Sequence, residues 1–232
     1  MQLLWDGLVG SLALLMERDA LVLSAAYRSL WVSTCAVAVA SFLGIPLGGW
    51  LAHTRSMARM PIVLMSRVGM SLPTVLIGLL CYAMLSRKGP FGSIDLLYTK
   101  SAIIIGEFFL AFPIIVSWTH NSVRGLDVRA RETAATLGAG FFGQIWTCLS
   151  EVRLSVALAV LTAFARCITE LGIALMVGGN IQGRTRTLTT ATALETSRGE
   201  FERGVAMSLI LLMVAMAVTI VVAWLHRSTE EL

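Results

Sequence analysis

Charge is what this chain has least of. Of its 232 residues only 14% are charged while 56% are hydrophobic, with a mean hydropathy of +0.80; soluble domains carry roughly 25% charged and 45–50% apolar residues. The apolar content excludes a disordered chain. Four cysteines, Cys35, Cys81, Cys148 and Cys167, lie far apart, with no CxxC and no Cys/His pair at metal spacing, so neither a disulfide scaffold nor a metal site is indicated. His53, His120 and His226 are isolated, and the patterns HExxH, GxSxG and GxxxxGK[ST] are missing. No zinc, nucleophile or nucleotide constellation is therefore legible, and no cofactor is expected. The net charge of +4 is dispersed in short segments between apolar runs, without the basic stripe and interleaved aromatics of a nucleic-acid binder.

What the chain does have is long apolar runs, and the shield they need is lipid. The class expected is an all-α polytopic membrane protein. Residues 29–52, 61–86, 101–119, 154–179 and 204–225 read as about five spans, each near the ~20 residues that cross a hydrocarbon core. Pro73 and neighbouring glycines predict a kink in the second, and Arg87 to Pro90 ends it with turn chemistry. Within residues 1–26 the apolar run 1–16 is short and interrupted by Asp6, so a span is not expected there. Leu4, Leu8 and Leu12 recur at helical spacing, which suits an amphipathic helix lying in the interface. Residues 227–232 form a polar tail. Five spans place the termini on opposite sides, but Lys and Arg divide almost evenly between the two sets of loops, so charge bias leaves the orientation open.

Two polar connections carry internal organisation. In the first, 121–153, residues 130–137 read as a short helix with small side chains on one face, followed by Gly138 and Gly140, where a positive φ costs little. Phe141, Phe142, Ile145, Trp146 and Leu149 then resume an amphipathic pattern. This is a helix–turn–helix at the membrane surface, either a docking element for another protein or an ordinary surface hairpin. The second connection is 180–203; just before it, Arg166 and Glu170 stand four apart inside the fourth span, where a charge costs about 2.5–3.5 kcal/mol on insertion scales. They form a structural ion pair, or else Thr169 and Glu170 line or gate a substrate path. Beyond them Asn180, Gln182, Gly183, Arg184, Thr185 and Thr187 make a dense donor cluster; arginine and glycine N–H groups suit an oxyanion.

Glu132, Ala134, Ala135 and Gly138 at this spacing resemble the EAA loop of ABC-importer permeases. The run departs from that pattern at Thr133, usually Ala, and at Ser150 and Glu151, where many members have Leu-Pro. The run Glu170–Leu188, with 71–80, 86–99 and 103–115, is similar to the corresponding segments of molybdate and tungstate permeases, closer to tungstate; relatives often carry Gln where Glu107 stands. The resemblance implies a type I importer fold over residues 27–226 and a homodimer in the cell membrane. It also implies cytoplasmic ABC ATPase subunits docked on the 121–153 coupling loop, and an external oxyanion-binding protein. The loop would then be cytoplasmic, the amino terminus outside and the carboxyl terminus inside. Arg166, Thr169, Glu170, Asn180, Arg184 and Thr185 are the expected path or gate residues. A proton-coupled carrier using Glu107 and Glu170 is the rival transport reading, and five spans without an inverted repeat are few for it.

Overall fold

The computed structural model describes residues 20–54, 57 and 59–230. Ten α-helices and one 3₁₀ turn make up the described chain, with no strand among the described residues. The first helix, α1 (Ala20–His53), is followed by α2 (Arg59–Met70) and α3 (Thr74–Leu85). A 3₁₀ turn at Gly92–Ile94 leads to α4 (Lys100–Arg124). Then come α5 (Val128–Thr136), α6 (Phe141–Glu151), α7 (Arg153–Ile168), α8 (Gly172–Gly178), α9 (Leu188–Ser197) and α10 (Phe201–Glu230).

Helices α1, α4 and α10 are each long and apolar enough to cross a bilayer. Two further candidate spans are bent pairs: α2 with α3, turning by 107°, and α6 with α7, turning by 72°. The kink expected in the second span is thus a full break at residues 71–73, where Pro73 has no N–H to continue a helix and stands at the start of α3. The fourth span is likewise not one helix: α7 stops at Ile168 and the short α8 resumes after three residues. Of the amino-terminal helix expected over 1–26, residues 1–19 lie outside the described residues; from Ala20 onward α1 runs without interruption into the first span. At the other end α10 continues past residue 226 to Glu230.

Helix α4 is the axis of the bundle. Its 25 residues rise about 37 Å, and its buried Ile103, Leu110, Ala111, Ile114 and Ile115 pack against α1, α3, α7 and α8 in the main core. Close approach depends on glycine at two crossings. Gly48 of α1 lies over Thr119, where a Cβ would come to 2.8 Å, and a Cβ on Gly106 of α4 would collide with Ile173 of α8. Two smaller cores mark the ends of the bundle. Val22, Ala25, Leu188, Ala191 and Met207 join the starts of α1, α9 and α10. Ala52, Val123, Cys148, Val152 and Val156 join the far ends of α1 and α4 to α6 and α7. The start of α1 and the end of α10 therefore lie at opposite ends of the molecule.

Candidate functional site: the broken helix and the surface hairpin

Between α7 and α8 the backbone leaves helical geometry inside an apolar segment, where each bare N–H or C=O costs several kcal/mol. Glu170 resolves most of that. Its Oε1 accepts the backbone N–H of Gly172 at 2.8 Å and of Ile173 at 3.3 Å, the free donors of the first turn of α8. Its Oε2 accepts from Arg166 Nη1 at 3.0 Å, and its carbonyl oxygen accepts from the Thr189 hydroxyl at 2.9 Å. The Arg166–Glu170 pair anticipated from their spacing is formed, but Glu170 stands beyond the end of α7 rather than within a continuous helix. Its carboxylate competes for the helix as a cap, which is why the span breaks there.

Thr169 turns its hydroxyl back to the Ala165 carbonyl at 2.9 Å, and its side chain is exposed. Arg166 keeps 45% of its side chain accessible, whereas Glu170 is buried. The break thus shows a guanidinium and a threonine at its surface and hides the carboxylate.

The donor cluster after α8 is divided: Gln182, Gly183 and Arg184 are exposed, while Asn180, Thr185 and Thr187 turn inward. Gly179 and Asn180 both adopt positive φ, 67° and 50°. Asn180 donates Nδ2–H to the Thr190 carbonyl at 3.2 Å and accepts from Arg186 Nε at 3.2 Å. The Thr185 hydroxyl donates to the Gly178 carbonyl at 2.6 Å and accepts from the Ile181 N–H at 3.0 Å. Arg184 is the site residue of this loop whose side chain is exposed. Among the expected path residues, then, Arg166, Thr169 and Arg184 reach the surface, while Glu170, Asn180 and Thr185 hold the frame behind them.

A clamp with no signal in the local sequence holds this frame. Arg28 Nε donates to the Arg186 carbonyl at 2.8 Å, and Ser29 Oγ accepts from the Leu188 N–H at 2.8 Å. Arg186 itself is buried against Glu195, with Nη1 to Oε1 at 3.8 Å. Thr187 and Thr190 form a reciprocal capping box at the start of α9. A Thr-x-x-Thr box is a faint signal, and nothing local links Arg28 to a loop 158 positions away.

At the opposite end of α4 lies the hairpin. Asp127 caps α5 by accepting the Arg129 N–H at 2.9 Å. Helix α5 ends in a turn in which Ala139 N–H returns to the Ala134 carbonyl at 3.0 Å, with Gly138 at φ 83°. Ala134 is buried against the hairpin, whereas Glu132 and Ala135 face outward. Around them Leu137 is 82% exposed, Phe142 82% and Trp146 74%. Apolar side chains on the spans are as exposed, Phe42 at 80% for one; the hairpin differs in carrying the exposed Glu132 among them.

A helical bundle with an interrupted helix at the depth of its apolar core, backed by a polar frame, is the architecture of a membrane transport component. The chain matches, over residues 44–231, the family of binding-protein-dependent transport system inner membrane components, and it belongs to that family. It is a multi-pass permease subunit of ABC-transporter type rather than an enzyme; ATP hydrolysis and substrate capture belong to separate proteins. It is 34% identical over 224 residues to the tungstate uptake system permease protein TupB of Peptoclostridium acidaminophilum, covering 96% of this chain and 97% of that one. With the protein of the same name from Campylobacter jejuni it shares 33% identity over 225 residues, 97% of this chain and 94% of the other. The molybdenum transport system permease protein ModB of Azotobacter vinelandii is 29% identical over 154 residues, 63% of this chain and 68% of its own.

Proposed function

We propose that two copies of this chain form the membrane path of a tungstate importer, fed by an external oxyanion-binding protein and driven by two cytoplasmic ATPase subunits. The observation that carries the substrate is the near full-length similarity to tungstate permeases, beside a shorter and weaker match to a molybdenum permease. Molybdate or sulfate is the second reading, because the cluster chemistry of guanidinium and hydroxyl suits any tetrahedral oxyanion.

The path runs along the α7–α8 break. Lipid does not accept irregular backbone or an exposed guanidinium at this depth, so the face bearing Arg166 and Thr169 meets water or a second copy. Arg166, Thr169 and Arg184 contact or gate the anion, and Glu170, Asn180 and Thr185 position them. The hairpin exposing Glu132, Ala135, Leu137, Phe142 and Trp146 docks into the ATPase, with Gly138 as its elbow. That end is cytoplasmic. The start of α1 is then outside and the carboxyl terminus inside.

Cellular tungsten and molybdenum, measured by elemental analysis with and without this gene at nanomolar supply of both oxyanions, test the reading. Selective loss of tungsten is the expected outcome. Equal loss of both metals moves the assignment to a shared oxyanion system, and loss of neither overturns the substrate.

A further inference from the structure

The hairpin of α5 and α6 must pass its motion to the spans: α6 packs on α1 and α4 through Ala52, Val123 and Cys148, but these contacts are apolar and lie below the elbow. Helix α5 rests on α6. At the elbow between them neither Gly138 nor Gly140 has any atom within 4 Å of where a Cβ would stand. The turn closes on itself through the Ala139 N–H to the Ala134 carbonyl at 3.0 Å, but no side chain packs over its glycines, so a contact from outside the hairpin is needed to tie it to the spans.

Gln144, in the first turn of α6, is that hold. Its Nε2–H donates to the Ala139 carbonyl, in the elbow itself, at 2.9 Å. This bond sets the orientation of the amide, so Oε1 faces the other way, to His53 Nε2 at 3.0 Å. An acceptor there requires His53 Nε2 to carry a hydrogen. The His53 ring also stands edge-on to Phe141, centroids 5.4 Å apart at 83°. One turn earlier, Gly49 lets α1 press onto α6, where a Cβ would come to 3.2 Å from Ile145. His53 is the last residue of α1. At the other end of the same helix, about 36 Å away at 1.5 Å per residue, Arg28 and Ser29 grip the backbone of Arg186 and Leu188.

We propose that His53 is a positioning residue that fastens the α5–α6 elbow, through Gln144, to the inner end of α1, so that α1 acts as the rod carrying hairpin motion to the outer segment at 186–188. The proposal rests on the hairpin being the ATPase-docking element. A rod joined to that element only by apolar contact would slip; two hydrogen bonds in series through one amide fix both distance and direction.

The test uses the assembled transporter in proteoliposomes, with tungstate and molybdate as probe oxyanions, recording uptake and ATP hydrolysis together. Gly138→Val is the control for the docking reading. His53→Ala is expected to lower uptake per ATP hydrolysed about fivefold or more, the lower bound of ordinary inter-site coupling, while hydrolysis continues and the melting temperature holds. His53→Gln, which places an amide N–H near the ring Nε2, is expected to restore most of the ratio. Gln144→Leu should reproduce the loss, and the double variant His53→Ala with Gln144→Leu should be no worse than either, because both sit in one chain of bonds. A normal ratio in His53→Ala while Gly138→Val uncouples overturns the proposal alone. Parallel loss of uptake, hydrolysis and melting temperature, without rescue by Gln, reduces His53 to a packing residue and also overturns it. Normal coupling in Gly138→Val removes the docking reading and the proposal together.

Discussion

Single side chains in this permease do several jobs because a lipid-embedded break leaves few alternatives. Glu170 closes two backbone donors with one oxygen and a guanidinium with the other. Glu170→Ala is expected to cost about 1–2 kcal/mol from the lost cap alone, read as a lower melting temperature in detergent. Glu170→Gln keeps an acceptor for Gly172 and Ile173 and loses only the pair with the half-exposed Arg166, so it should melt above Glu170→Ala. If the two variants melt alike, the cap is not what holds the break. Glu107 is the contrasting case. It is buried, its carboxyl meets the Ser33 hydroxyl, and Oε2 has no partner among the described residues. It sits behind the α7–α8 break, where its carbonyl oxygen accepts from the thiol of Cys167, the neighbour of Arg166, at 3.6 Å.

At the scale of elements, the contact between α4 and α8 shows how a short helix is kept in place. Helix α8 has only seven residues, too few to be stable from its own hydrogen bonds. It is held by the Glu170 cap, by Ile173 seated over Gly106, and by Tyr98, whose N–H donates to the Val177 carbonyl at 2.9 Å. Gly106→Ala introduces a methyl where Ile173 already stands. An overpacking cost of about 1–3 kcal/mol is expected, and Ile173→Ala on that background should recover part of it. Failure of the second substitution to help would mean that α4 and α8 adjust apart without cost. The hairpin at the other end was largely legible in advance, since a small-residue helix ending at Gly138 is written in local sequence. The break after Ile168 was not. Hydropathy averages over it, and the carboxylate that creates it reads equally well as half of an i,i+4 pair.

For the whole molecule, the arrangement separates two working ends along α4. The outer end in the proposed orientation gathers the start of α1, the 86–99 loop and the 180–197 segment; the inner end gathers the hairpin. Single cysteines at Ser93 and Leu137, both exposed, placed in a background lacking the native four, test that orientation in intact cells. An impermeant maleimide should label Ser93→Cys from outside and reach Leu137→Cys only after permeabilisation. The reverse pattern would invert the topology and remove the hairpin from the cytoplasm.

Composition and hydropathy by themselves determined that this is a helical membrane protein of about five crossings, because the solvent of a span is written in its average polarity. Short-range spacing determined the hairpin, since turns and caps involve residues a few positions apart. Tertiary structure alone decided which polar groups face a path and which face each other. Asn180 and Thr185 look like ligands along the chain and are spent on Arg186, Thr190 and Gly178 in space. His53 and Gln144, 91 residues apart, or Arg28 and Arg186, 158 apart, become neighbours only when the bundle closes. A hydrogen bond is set by distance and direction in three dimensions, and a linear pattern holds that information only within a turn or two.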